Sequence, residues 1–251
     1  MTESLTIVGW LWRDPRCSAQ YLPEHANIWA RMIHRNLSMP HRFVLMTDQP
    51  EAAFDPLIEA VPLWDDAREL RKDKGWAEGR PHCFTRLKAF AREAEAIFGR
   101  RFVSVDLDCV VMDALDPLFD RAEDFVIYRR PAESGRGKSF NPYNGSMWMM
   151  TAGARAQVWD DFHGAESVAT SLKYLGTDQA WLRHVLGPDE PGWGVADGVL
   201  GWPAVYGDNR WLYEPPPQTR IIFFQGDMKP WHVVRGKNPA ISHLWVEGFY
   251  Q

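Results

Sequence analysis

The first 63 residues alternate between short apolar runs and a segment whose apolar positions recur at helical spacing. Residues 5–12 form a continuous apolar run rich in β-forming residues, which predicts a buried strand. Shorter apolar runs at 43–46 and 58–63 predict two more strands. Between the first two runs, Pro23 is well placed to open a helix, because proline suits a first helical position. Spacings of three, four and four predict its buried face at Ala26, Trp29, Ile33 and Leu37.

The next stretch of the chain leads to a pair of acidic residues. Residues 65–80 are charged and contain glycine, which is typical of a surface loop. From Pro81 onward, a helical repeat predicts an amphipathic helix with its buried face at Phe84, Leu87, Ala91, Ala94 and Phe98. Residues 101–105 then predict a strand, so that Asp106 and Asp108 follow at its carboxyl end.

The second half of the chain is less regular. Apolar runs at 125–128, 146–150 and 221–224 predict strands, and 177–186 predicts a helix. Because strands alternate with helices over the first 110 residues, we expect right-handed βαβ units. Such units build a mostly parallel central sheet flanked by helices, an α/β fold of Rossmann-like type. No internal repeat or linker is visible in the sequence, so residues 1–251 are predicted to form a single domain.

Composition narrows the classes of partner. The chain has 251 residues, with 28 lysines and arginines against 33 aspartates and glutamates, for a formal net charge of −5. This acidic balance argues against binding nucleic acid or anionic membranes by bulk charge. The 13 tryptophans are unusually many. We expect most of them in the core and about two or three at a binding cleft, because indole rings also stack on sugars.

The expected compartment is the cytoplasm. Cys17, Cys83 and Cys109 are scattered without metal-ligand spacing, which favours free thiols in a reducing environment. The N-terminal segment lacks the basic and apolar regions of an export signal. No apolar run approaches the ~20 residues of a transmembrane helix. The sequence therefore predicts a soluble cytoplasmic protein with no transmembrane segment.

The strongest chemical signal is the acidic pair Asp106 and Asp108. Two carboxylates just past a strand can approach one divalent cation, and hard oxygen ligands suit magnesium or manganese with phosphate oxygens completing the shell. Asp-x-Asp is common, however, and the two acids can instead cap the next turn or pair with arginines. A phosphatase of the haloacid dehalogenase type is a further alternative, although that class carries its acidic motif on the first strand.

Other polar clusters occur downstream. GRGKS does not make a phosphate-binding loop, because the pattern needs a glycine where Ala132 stands and a helix afterwards. Asn144 lies in YNGS, and Asp178 and Gln179 lie in GTDQ, where an acid in a first helical turn also complements the helix dipole. Lys229 follows the late strand and places a positive charge where a diphosphate could be neutralised.

Four motifs in order resemble those of glycosyltransferases of the GT-A fold: FVSVDLDCVV, YNGS, GTDQAWL and FFQGDMKPWH. The likeness is greatest to the glycogenin and lipopolysaccharide galactosyltransferase group and its uncharacterised bacterial relatives, and it covers most of the chain. It implies a nucleotide-binding half at 1–110 and a sugar and acceptor half at 111–251. It also implies metal-dependent transfer of a sugar from a nucleotide-sugar, expected to be a UDP-sugar, to a hydroxyl acceptor such as a carbohydrate, with retention of configuration.

The resemblance also implies how the donor is held. Asp106 and Asp108 would bind manganese or magnesium, with Asp106 also reaching the ribose. Arg86 would reach the donor from the helix predicted before that strand. Gly226 would let the backbone approach the leaving diphosphate, and Lys229 would neutralise it.

On the sugar side, the resemblance places Asn144 at the sugar or acceptor and makes Asp178 and Gln179 the catalytic pair beneath the transferred sugar. One departure from the family occurs. Where these enzymes carry a metal-binding histidine, this chain has Phe-Phe-Gln at 223–225, and His232 is the candidate metal ligand in its place. A catalytically silent protein that binds nucleotide or carbohydrate on the same fold is therefore an alternative.

Overall fold

The computed structural model of the chain describes residues 4–14, 21–71, 83–131, 140–202, 215–224, 229–234 and 244–251. Within these ranges the strands are β1 (Leu5–Leu11), β2 (His41–Thr47), β3 (Ile58–Pro62), β4 (Arg101–Val105), β5 (Cys109–Val111), β6 (Phe125–Arg129), β7 (Tyr143–Thr151), β8 (Gly192–Trp193), β9 (Val199–Gly201) and β10 (Ile221–Phe223). The helices are α1 (Pro23–Arg35), α2 (Glu95–Phe98), α3 (Asp116–Phe119), α4 (Gln157–Asp160), α5 (Ala165–Ser171), α6 (Asp178–Leu186), α7 (Pro230–Val234) and α8 (Leu244–Phe249). Short 3-10 helices cover Phe84–Phe90, Arg92–Ala94 and Val195–Asp197.

Most of the described strands join one seven-stranded sheet in the order β3-β2-β1-β4-β7-β6-β8. β3, β2, β1 and β4 run parallel, as do β6 and β8, whereas β7 runs antiparallel to both its neighbours. The predicted α/β fold with a mostly parallel central sheet is confirmed. Because β7 is reversed, its first residues lie at the same edge of the sheet as the last residues of β4 and β6.

Both faces of this sheet are covered by apolar side chains. Ile7 of β1 packs into the cluster on one face and Val8 into the cluster on the other, which explains why this strand is apolar throughout rather than alternating. The predicted face of α1 is confirmed, with Trp29 and Ile33 fully buried against the first face. Among the described side chains the buried tryptophans are Trp10, Trp29, Trp148, Trp181, Trp193, Trp202 and Trp231, so indole packing in the core is confirmed for these positions.

The single amphipathic helix predicted after Pro81 is wrong. The structure instead has the 3-10 helices Phe84–Phe90 and Arg92–Ala94 and then α2, with an extended break at Ala91 (φ −61°, ψ 146°). The physical reason is visible in the spacing of Phe84, Leu87 and Phe90, all buried, because a period of three matches the 3-10 helix rather than the α-helix.

A smaller sheet has three strands in the order β5-β10-β9. Of these three strands, the sequence predicts only β10. β10 pairs antiparallel with β5, so that Phe223 lies opposite Cys109, and parallel with β9. The short link between β4 and β5, which contains Asp106 and Asp108, therefore passes from the large sheet to the small one.

Several predicted features lie outside the described residues: Cys17, most of the 65–80 loop, the GRGKS segment and Gly226. In the part of the chain that is described, no helix is both long enough and apolar enough to span a bilayer.

Candidate active site

The acidic pair sits in a turn that is held from both sides by backbone hydrogen bonds. The Asp106 N–H donates to the carbonyl of Ser146 in β7 (2.8 Å), and the Asp108 carbonyl accepts from the Phe224 N–H just after β10 (2.8 Å). Both predicted acids therefore lie at the edge where β4 ends and β7 begins, which is where α/β sheets bind ligands.

Arg86 joins this turn to the start of α6. Its Nη1 donates to Asp106 Oδ1 (2.5 Å), while Nε and Nη2 donate to Asp178 Oδ2 (3.0 and 2.6 Å). The side chains of Arg86 and Asp178 are almost fully buried, but that of Asp106 is 25% exposed. Asp106 is thus the member of this triad that a ligand can reach.

The electrostatics of the triad follow from its burial. Burial opposes the charged form of Arg86, but the carboxylates of Asp178 and Asp106 outweigh it, and the pKa of Arg86 lies well above its ordinary value. Burial raises the pKa of Asp106 to about 6; Arg86 opposes that rise, and Asp108 and Asp178 add to it. Burial likewise raises the pKa of the Cys83 thiol to about 12, so this neighbouring cysteine stays protonated and is a poor nucleophile.

Two glycines allow α6 to approach the triad. A Cβ at Gly145 would lie 2.9 Å from Arg86 Nη2 and 3.1 Å from Gln179 Oε1, so any side chain there would force one of these groups to shift. The Gly145 N–H instead donates to Gln179 Oε1 (2.8 Å). Gly176 has φ +101°, and a Cβ there would lie 2.3 Å from Gln179 Cγ. The YNGS and GTDQ motifs are therefore packed directly against each other.

Asn144 carries a buried donor that no described residue uses. Its Oδ1 accepts from the Ser146 N–H (2.9 Å), whereas Nδ2 is buried and has no acceptor among the residues described. Sequence reasoning missed Asn141, whose Nδ2 donates to the carbonyls of Leu175 (2.8 Å) and Gln179 (3.0 Å) and ties β7 to α6. Its position three residues before Asn144 was the available signal.

A third ion pair, in addition to the two that Arg86 forms, lies on the other side of the acidic turn. Lys229 Nζ donates to Asp108 Oδ2 (2.5 Å) and to the Phe224 carbonyl (3.2 Å), and both side chains are buried. The Tyr21 hydroxyl donates to the same Asp108 oxygen (3.0 Å), and its ring packs edge-on against Trp231. Sequence reasoning did not single out Tyr21, because nothing near it in the chain points to a site.

The acidic turn offers a hard divalent cation two protein ligands rather than three. Asp106 and Asp108 supply carboxylate oxygens, the ligands that manganese and magnesium prefer. Within the described ranges, no group of three histidine, cysteine, aspartate or glutamate side chains is placed to hold a metal. His232 lies half-buried on α7, where its backbone N–H donates to the Lys229 carbonyl (3.0 Å), and its side chain does not form a three-ligand set with the acids.

Comparison with known proteins identifies the fold. No protein-family model and no curated protein sequence matches the chain. Among solved structures, the galactosyltransferase LgtC in complex with donor and acceptor sugar analogues is 11% identical, with 98% of this chain and 97% of that one covered and a TM-score of 0.59. An active-site mutant of LgtC, with glutamine changed to glutamate, gives 11% identity, 98% and 94% coverage and a TM-score of 0.60. The apo glycosyltransferase GlyE of Streptococcus pneumoniae TIGR4 is 12% identical over 91% of this chain and 56% of that one, with a TM-score of 0.55.

These likenesses are structural, since the identities are low. They show that the chain has the fold of these glycosyltransferases, and the predicted resemblance to the GT-A fold of the lipopolysaccharide galactosyltransferase group is confirmed at the level of the fold.

Proposed function

We propose that the chain is a glycosyltransferase that moves a sugar from a nucleotide-sugar, expected to be a UDP-sugar, to the hydroxyl group of an acceptor such as a carbohydrate. The observation that carries the proposal is the Arg86 bridge, which joins Asp106 after β4 to Asp178 at the start of α6. The fold neighbour LgtC was crystallised with donor and acceptor analogues and has an active-site glutamine. We assign an active-site role to Gln179, which follows Asp178.

We assign the metal to the acidic turn. Asp106 and Asp108 would hold manganese or magnesium, with diphosphate oxygens and water in the remaining positions. A bound divalent ion supplies positive charge that stabilises a departing diphosphate. Lys229, now paired with Asp108, would exchange that carboxylate for the leaving diphosphate, because negative charge grows there as the anomeric bond breaks.

The remaining site residues orient the sugar. The buried Nδ2 of Asn144 has a hydrogen bond to give, and a sugar hydroxyl can accept it. Asp178 is engaged at both carboxylate oxygens, by Arg86 at Oδ2 and by the Thr177 hydroxyl at Oδ1 (3.1 Å). It is therefore poorly suited to act as the general base that an inverting enzyme needs, which favours transfer with retention.

A catalytically silent nucleotide- or carbohydrate-binding protein is the second candidate. It is favoured by the failure of His232 to join the two acids as a third ligand in the described part of the chain. The phosphatase alternative is disfavoured, because the acidic pair follows the fourth strand and the fold neighbours are glycosyltransferases.

The test is thermal unfolding with UDP and manganese, together and separately. A ligand bound only by the native state must stabilise it, by about 2.7 kcal/mol when present at about one hundred times its Kd. We expect the pair to raise Tm, the Asp108→Asn variant to lose that rise, and the exposed Asp120→Asn variant to keep it. An equal rise in Asp108→Asn would contradict the assigned site. If UDP binds but no UDP-sugar is hydrolysed or transferred, the silent alternative is favoured.

A further inference from the structure

A cavity of about 350 Å³ lies at the end of β6, where that strand meets β8. The cavity is lined by a segment at the end of β6, Arg129 to Pro131, and by a segment that includes β8, Gly192 to Val195. It is large enough to take a group of the size of a monosaccharide.

The charge of Arg129 is held in place by backbone carbonyls, and no described carboxylate pairs with it. Its Nη1 donates to the backbone carbonyls of Pro188 (3.0 Å) and Glu190 (2.7 Å). The Glu190 carboxylate is taken by Arg155, which donates to it at 2.7 Å and 2.9 Å. Gly192 leaves room for this arrangement, since a Cβ there would lie 2.3 Å from Arg129 Cδ. The guanidinium is therefore fixed beside the cavity without a counterion among the described residues.

Arg130 presents the second positive charge. Its Nε is buried, and no described group accepts a hydrogen bond from it. Burial lowers the pKa of Arg130, and Tyr128 opposes that shift without cancelling it. None of the described lining residues is acidic. Asp197, two residues after the lining residue Val195, accepts from the Gly194 N–H (2.8 Å). Shielding a guanidinium from water while one of its N–H groups has no acceptor costs free energy. An anionic ligand that accepts a hydrogen bond from the guanidinium would relieve that cost.

The cavity lies beside the sugar end of the site rather than the diphosphate end. Arg129 pairs with Tyr143 in the β6–β7 register, and Asn144 is the next residue. Arg129 Cζ is 5.8 Å from the centre of the Tyr143 ring. Asp108 and Lys229 lie beyond β7, where β4 passes into the small sheet. A donor held by those groups would leave the β6–β8 side open to the acceptor.

We propose that this cavity binds an anionic group, a carboxylate or a phosphate, on the acceptor sugar. Arginine suits both, because its planar fork meets carboxylate or phosphate oxygens in two parallel hydrogen bonds. The inference rests on the proposed function, and it specifies the acceptor as an acidic or phosphorylated saccharide.

The test measures binding of three probes by calorimetry in the presence of UDP and manganese: methyl β-glucoside, methyl β-glucuronide and glucose 6-phosphate. We expect at least one anionic probe to bind at least tenfold more tightly than the neutral one, and the stronger of the two to identify the group. The Arg129→Gln/Arg130→Gln double variant should lose this preference, while Arg100→Gln, at an exposed arginine, should keep it.

A second pair of variants covers the case in which the arginine variant fails to fold. Among the described atoms nothing lies within 4 Å of a Cβ at Gly194, and its φ of −149° accepts any residue. Gly194→Glu would put a carboxylate into the cavity and abolish the preference, whereas Gly194→Gln, of equal size, would retain it. The proposal would be overturned if the neutral and anionic probes bound equally well. It would also be overturned if Gly194→Glu and Gly194→Gln showed the same preference for the anionic probe. Stabilisation by UDP and manganese is measured separately in every variant. A loss of anion binding at the cavity is thereby distinguished from a loss of nucleotide binding at the acidic turn.

Discussion

Arg86 and Arg130 are both arginines with nitrogen atoms shielded from solvent, yet their surroundings are opposite. Arg86 is enclosed by two carboxylates from different parts of the chain, and its pKa lies well above the ordinary value despite burial. Arg130 has a buried Nε without an acceptor in the described structure, and burial lowers its pKa. Arg86 therefore stabilises the site itself, whereas Arg130 is suited to bind a ligand from outside.

The largest expected effect comes from removing Arg86. Arg86→Met leaves the buried Asp178 without its partner, and breaking a buried pair in this way costs about 3 to 5 kcal/mol of unfolding free energy. Urea unfolding measures the loss. The control is Arg92→Met, which removes an exposed pair with Asp160 and should cost less than about 1 kcal/mol. Similar losses in the two variants would contradict the view that the Arg86 triad is structural.

A smaller change tests how closely the triad must be packed. In Gly145→Ala the new Cβ would lie 2.9 Å from Arg86 Nη2, so Arg86 or Gln179 must shift. We expect a loss of about 1 to 3 kcal/mol in stability, and a fall of about a hundredfold in donor hydrolysis because the reacting groups are displaced. The control is Gly248→Ala, where the Cβ would meet no described atom within 4 Å. In this variant neither the stability nor the rate of donor hydrolysis should fall. Wild-type hydrolysis in Gly145→Ala would show that the contact is dispensable.

The smallest effect is expected at the other arginine. Arg130→Met removes a buried donor that has no acceptor in the described residues, so unfolding free energy should change by less than about 1 kcal/mol, in either direction. Urea unfolding beside Arg86→Met gives the direct contrast. A loss of unfolding free energy as large as that of Arg86→Met would mean that Arg130 is paired within the protein and is not available to a ligand.

Much of the scaffold could be predicted because its signals are local. The continuous apolar run of β1 and the face of α1 depend on neighbouring residues alone, and the observed bounds agree with the predicted ones to within one or two residues. The three-residue strands of the small sheet are too short to show a period, so β5 and β9 were missed. The single-domain assignment stays a prediction.

The candidate site was harder to predict, because its contacts join distant positions. The residue types of Asp106, Asp108 and Asp178 pointed to a site, but no spacing shows that Arg86 lies between Asp106 and Asp178, 92 residues from the latter. Tyr21 reaches Asp108 across 87 residues for the same reason. The assigned roles of Gly226 and His232 came from resemblance; the first lies outside the described residues, and the second does not join the acids.

The pairing of β10 with β5 has a consequence for how the protein acquires its function. Lys229 and Asp108 are 121 positions apart, and they meet only because β10 docks beside β5. Closing so long a loop is slow compared with forming the local βαβ units. During synthesis on the ribosome, we therefore expect the large sheet to assemble while the diphosphate end of the pocket is still incomplete, so that a nascent chain gains its scaffold well before it gains affinity for a nucleotide.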